Sequence, residues 1–140
     1  MKAKAFAVLA WLAANACLVG PGRADTTGYD EIHVSKAALS GQQIRIWHAA
    51  ELNPDCTEVP GLIAQVVQPP AHGTATLSKD QIFPYFPPGN PRSVCNTRKT
   101  PGFEAFYTSA DGYRGTDIVV LQVATTEGRV RKVTVDIDVK

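Results

Sequence analysis

The chain ends on Val133-Thr134-Val135-Asp136-Ile137-Asp138-Val139, where every odd residue is apolar and β-branched and every even one is polar. Successive side chains on a strand point to opposite faces, so a period of two specifies a strand with one face buried and one wet. Upstream, Ile118-Val119-Val120-Leu121-Gln122-Val123 reads as its partner, joined through a turn at Glu127-Gly128. A hairpin that is greasy on one face is not stable alone and needs a second layer against it. Past the first 24 residues no apolar pattern at helical spacing lasts longer than a turn, so the covering layer has to be another sheet.

The strands for that layer are visible upstream. Glu31 to Ser35 alternates and reads as a first strand. Gln42 to His48 reads as a second, with Ile44 and Ile46 on one face and Arg45 and Trp47 on the other. Leu62 to Val67 is nearly all apolar, which fits a central strand covered on both faces or a buried edge, and Pro69-Pro70 ends it. Thr74 to Leu77 is a brief strand before a turn at Ser78-Lys79-Asp80, and Phe103 to Thr108 leads into the closing hairpin. Seven or so short strands with regularly spaced turns predict an all-β antiparallel sandwich. Gln81 to Gly102 is the least regular stretch, with Pro84, Pro87, Pro88, Pro91 and Pro101, and a loop of that length needs a tether or a role.

The start of the chain belongs to export. Lys2 and Lys4 precede an apolar run from Ala5 to Val19 broken only by Asn15, and Gly20-Pro21-Gly22-Arg23-Ala24 follows. That is the pattern of a secretory signal peptide over residues 1–24, too short for a membrane span, leaving one domain over residues 25–140. Cys17, after Ala14-Asn15-Ala16, faintly resembles a lipoprotein acylation site, but Ala14 stands where such sites carry Leu, so simple cleavage ranks above lipidation. Lys2, Lys4 and Arg23 leave with the leader, so 14 basic residues fall to 11 against 13 acidic ones. The mature balance gives no electrostatic footprint for nucleic acid.

Of three cysteines only Cys56 and Cys95 remain in the mature chain. Two cysteines in an exported protein most simply pair, and this pair would tether the proline-rich loop. A metal pair or a nucleophilic thiol lacks nearby partners.

The turn segments resemble a known family. Pro70-Ala71-His72-Gly73-Thr74, Phe106-Tyr107-Thr108, Gly112-Tyr113-Arg114-Gly115-Thr116-Asp117 and the alternating last strand are similar to bacterial immunoglobulin-like and cadherin-like repeat modules, with Ser109 where those modules carry Pro. The resemblance covers about half of the mature chain and implies an immunoglobulin-like fold. The cysteine-bearing insertion looks more like small secreted single-domain relatives. Independently of the family, Gly73, Gly112 and Gly115 can take positive φ where the chain reverses. Asp117 can accept backbone hydrogen bonds at the corner, and Phe106 or Tyr107 can fill the space between sheets with a phenol reaching a backbone partner.

No catalytic constellation assembles. His33, His48 and His72 share no ligand spacing, and there is no Gly-x-Ser-x-Gly elbow or phosphate loop. Asp136 and Asp138 read as a wet face, and Asp111 and Asp117 as turn caps rather than calcium ligands. The expectation is no catalytic residue, no metal and no cofactor. Phe83, Tyr85 and Phe86 among prolines, with Arg92, Arg98 and Lys99 beyond, form a candidate binding loop, the alternative being a lid over the open end of the sandwich. The reading is an exported, non-enzymatic binding or structural module of the bacterial periplasm or cell exterior, its partner an unidentified protein or cell-surface ligand. The alternative is a small metal-dependent or hydrolytic enzyme using His48 or His72. That alternative requires a histidine and a carboxylate to converge in a pocket.

Overall fold

The computed structural model describes residues 29–140, so the leader over residues 1–24, with Cys17, lies outside the described residues. Seven strands form: β1 (Tyr29–Ala38), β2 (Gln43–Ala49), β3 (Ile63–Gln68), β4 (Gly73–Ile82), β5 (Thr100–Ser109), β6 (Gly115–Ala124) and β7 (Val130–Val139). They make two sheets in the orders β1-β7-β6-β3 and β2-β5-β4, a sandwich of four strands on three. No helix among the described residues is long and apolar enough to cross a membrane.

The alternating tail behaves as its period demands. β6 and β7 pair antiparallel from Gly115↔Val139 to Ala124↔Val130. Val119, Leu121 and Val123 on β6 and Val133, Val135, Ile137 and Val139 on β7 are all buried. Ile46, Ala105 and Tyr107 meet most of this set from the other sheet and complete the main core. The pairing is not antiparallel throughout: β1 lies parallel to β7, from Tyr29↔Val130 to Ala38↔Val139. Parallel neighbours need a long connection, and here the rest of the domain supplies it.

Four local expectations shift. β2 carries a bulge between Arg45 and Trp47, so Trp47 sits opposite buried Ala105 and its ring turns to the core side, not outward with Arg45. β3 is an edge strand and not a covered one, with Ile63 and Val67 open to solvent. β4 runs straight through Ser78-Lys79-Asp80, because its ladder to β5 continues unbroken from Gly73↔Ser109 to Ile82↔Thr100. The irregular segment therefore narrows to Phe83–Lys99 and contains a 3-10 helix at Pro91–Thr97, capped by the Asn90 side chain.

Candidate functional site

The segments 70–74, 106–108 and 112–117 meet at one buried carboxylate. Asp117 Oδ1 accepts from the Ala71 and Ile118 N–H groups at 2.8 and 3.0 Å. Its Oδ2 accepts from the His72 N–H at 2.9 Å and the Tyr107 hydroxyl at 3.1 Å. The phenol of Tyr107 thus reaches a side chain, not the backbone. Burial alone would raise the Asp117 carboxyl, but these donors outweigh it and hold it below its ordinary value. Burial first, then Asp117, pushes the Tyr107 phenol up. His72 stacks on Tyr113 with ring centroids 4.2 Å apart. Gly112 and Gly115 do take positive φ, whereas Gly73 is needed for space: a Cβ there would run into the Thr108 carbonyl and the Tyr107 ring. At Ser109, the departure from the repeat pattern, the hydroxyl accepts from the Gly41 N–H at 2.8 Å and ties the β1–β2 turn to β5. This corner is an architectural joint.

The proline-rich loop is built differently. Cys56 and Cys95 form a disulfide across 39 residues, and with Leu52 they make a second small core against which Ala50 and Phe86 pack. The Asn96 side chain brackets Phe86, accepting from its N–H and donating to its carbonyl, each at 2.8 Å. Arg92 Nε donates to the Leu52 carbonyl, and an Arg98 guanidinium nitrogen donates to the Asp55 carbonyl at 2.7 Å. Arg92 and Arg98 therefore fasten the loop, and Lys99 is exposed beside β5.

Phe83 and Tyr85 go the other way. Phe83 is 39% and Tyr85 56% exposed, and Tyr85 adopts φ 55°, a left-handed conformation uncommon outside glycine. Its ring lies 5.3 Å from the Arg45 guanidinium carbon, 5.4 Å from the His48 ring edge-on, and 6.5 Å from Phe83. Arg45 is held in turn by Glu104, at 2.7 Å. Across β2 and β5 His48 stands opposite Glu104. Burial first, then the Arg45 charge, lowers the pKa of His48, so its imidazole favours the neutral form. The loop thus divides: Phe86 covers a satellite core, and Phe83 and Tyr85 present a braced aromatic strip on the outer face of the β2-β5-β4 sheet.

Beside the strip a cleft of about 460 Å³ opens at the end of the sandwich. One wall is Trp47, His48 and Leu52, another is Phe86 with Pro84 and Arg92, and the adjoining ends of β6 and β7 with their turn close it through Val123, Arg129 and Arg131. The lining is mixed, with Trp47, Leu52, Phe86 and Val123 interleaved with Asp30, Glu51, Arg92, Glu127, Arg129 and Arg131, so the cleft offers apolar contact and charges of both signs. Trp47, Arg45, Glu104, Arg129 and Arg131 escaped the sequence reading. The bulge that turns Trp47 inward leaves no mark in strand parity, Arg45 stands out in the sequence only as an outward-facing strand residue, and Arg129 and Arg131 lie between the Glu127-Gly128 turn and the alternating tail.

The histidines do not gather. His33 lies 3.9 Å from Asp136, both exposed, and His72 belongs to the corner. His48 lines the cleft together with the carboxylates Asp30, Glu51 and Glu127, of which Glu51 accepts from the Thr126 hydroxyl at 2.8 Å. Among the described residues no three His, Cys, Asp or Glu side chains converge as a metal site.

No family model and no curated protein matches the chain. Among solved structures it is similar to that of amebosin, determined in solution, at 15% identity over 80% of this chain and 98% of that one, with a TM-score of 0.44.

Proposed function

We propose that the chain is an exported, immunoglobulin-like, non-enzymatic binding module whose partner lies across the Phe83–Tyr85 strip and into the adjoining cleft. The observation that carries this reading is Tyr85, more than half exposed yet fixed by a left-handed backbone and by ring contacts to Arg45, His48 and Phe83. Backbone strain persists only where the surroundings impose it, and such sites concentrate where a surface is used. A rigid exposed aromatic offers contact area at little entropic cost. The Cys56–Cys95 bond supports an oxidising compartment, in keeping with the export signal.

The test is capture from a periplasmic and envelope extract on immobilised protein comprising residues 25–140. Wild type should retain a component that Tyr85→Ser and Arg45→Ala release, with circular dichroism unchanged. The purified component should shift the emission of Trp47, the only tryptophan in residues 25–140, which lines the cleft. Equal capture by wild type and both variants would sink the reading.

A further inference from the structure

Four strands form the sheet edges, and three of them carry charge: β1 has Asp30, Glu31 and Lys36, β2 has Arg45, and β4 has Lys79 and Asp80. β3, Ile63-Ala64-Gln65-Val66-Val67-Gln68, has none. Charged side chains on an edge are a common guard against pairing with another chain, so β3 is the unguarded edge. Among the described residues it pairs with β6 alone. Ile63 and Val67 stand 60% and 47% exposed, and even Ala64 and Val66, on the core parity, are only half-buried. A strand in this condition has one row of backbone donors and acceptors without a neighbouring strand, flanked by apolar side chains.

We propose that β3 is the seat of a second copy of this chain, added antiparallel about a two-fold axis at Gln65. The strand is close to a palindrome in chemical type about that residue. In this register Ile63 lies opposite the partner's Val67, Ala64 opposite the partner's Val66, and Gln65 opposite itself. Each contact is like on like, as an isologous interface requires, and no charge meets its own sign. A shift by one residue would set Gln65 against Val66 and turn outward side chains against inward ones. Gln65 is already posed for the joint: its Nε2 donates to Gln122 Oε1 at 3.0 Å. Its amide keeps a free donor hydrogen and an acceptor oxygen for the matching glutamine. The two copies would thus line up Gln122 and Gln65 of each across one continuous sheet of eight strands. Val67 is the extra residue of the β3 bulge, so the regular rungs centre on Ala64, Gln65 and Val66, Val67 meets Ile63 only at the margin, and Pro69-Pro70 ends the strand. The joint is therefore short, and the dimer reversible and dependent on concentration. The Phe83–Tyr85 strip lies on the other sheet, so each copy would keep its own.

Cross-linking tests this directly. Opposed residues in an antiparallel pair have Cα atoms roughly 4.5–5.5 Å apart, within disulfide reach. Gln65→Cys, in protein comprising residues 25–140 with Cys56–Cys95 closed, should oxidise to a covalent dimer under mild oxidant. Thr76→Cys, exposed on the charged β4 edge, should stay monomeric for at least tenfold longer. Adding Ile63→Lys, at a position already exposed, should abolish the Gln65→Cys dimer while circular dichroism and the native disulfide remain intact. Sedimentation of wild type should show a dimer that rises with concentration and is lost in Ile63→Lys. The proposal is overturned if Gln65→Cys forms no dimer, if it cross-links no faster than Thr76→Cys, if Ile63→Lys leaves the yield unchanged, or if the edge takes up a foreign extended peptide while the protein itself stays monomeric.

Discussion

Replacing Asp117 by Asn should loosen the corner where segments 70–74, 106–108 and 112–117 meet, and the size of the effect follows from its hydrogen bonds. The carboxylate accepts from Ala71 N and Ile118 N on one oxygen, and from His72 N and the Tyr107 hydroxyl on the other. An amide has one acceptor oxygen. Placed at the Oδ1 position it keeps the first two bonds, now neutral and weaker. Its NH2 then faces the His72 N–H, which loses its partner, while the Tyr107 hydroxyl can rotate to accept. One orphaned, part-buried donor costs about 1–3 kcal/mol, and the loss of charge at the others adds about 1, giving roughly 2–4 kcal/mol in all. For a domain of this size that lowers Tm by roughly 8–16 °C. The pH dependence is the sharper check. The folded pKa of Asp117 lies below its ordinary 3.8, so the carboxylate contributes stability that is complete above that value and is lost as pH falls through the folded pKa. A protonated Asp117 resembles Asn, so urea denaturation should show the gap between wild type and variant narrowing as pH falls below 3.8 and through the folded pKa. A gap under about 1 kcal/mol at pH 7, or one that persists unchanged into acid, would refute the reasoning.

Four further outcomes are expected. The domain of residues 25–140, denatured without reductant, should titrate with no free thiol, and Cys56→Ser/Cys95→Ser should lose about 2–4 kcal/mol; two reactive thiols would contradict the bond. Leu121→Ala should cost about 2–4 kcal/mol by chemical denaturation, whereas Thr134→Ala on the outer face should cost well under about 1. Phe86→Ser should destabilise by about 1–3 kcal/mol because it uncovers Leu52 and the disulfide, while Tyr85→Ser should cost under about 1; the reverse order would mean that the loop has been turned inside out. His48 has its pKa lowered by folding, so the stability it contributes is complete above the unfolded value of 6.5 and declines as pH falls below it; His48→Gln should flatten the stability profile just below pH 6.5.

What could be read from the sequence depended on whether a signal was local. The parity of Val119, Leu121, Val133, Val135 and Ile137 is carried by adjacent residues and survives because β6 and β7 pair without a bulge. Trp47 was misplaced by the same logic, since one extra residue at Ile46 inverts everything after it and is decided by the ladder to β5. Ser78-Lys79-Asp80 has turn composition, yet its pairing with β5 overrides local preference. Leu62–Val67 is apolar enough for a covered strand, but whether a second layer covers it is a property of the whole sheet. Cys56–Cys95 was reachable by elimination. The cleft was not, because Trp47 to Leu52 and Val123 to Arg131 come from opposite halves of the chain and meet only after both sheets form. The motifs around His72 and Asp117 read as turns and the one around Tyr107 as a strand, and only packing brings the three together.

The parallel placement of β1 beside β7, Tyr29 next to Val130 and Ala38 next to Val139, also has a mechanical meaning. The first strand starts at one pole of the sheet and the last finishes at the other, roughly 30 Å away for ten extended residues. Tension between the segment before Tyr29 and the segment after Val139 would drag the two strands lengthwise past each other. The rungs between them would share the load at once, instead of peeling apart one by one. A copy tethered at both ends would hold under pulling and then give way abruptly, whatever it has bound.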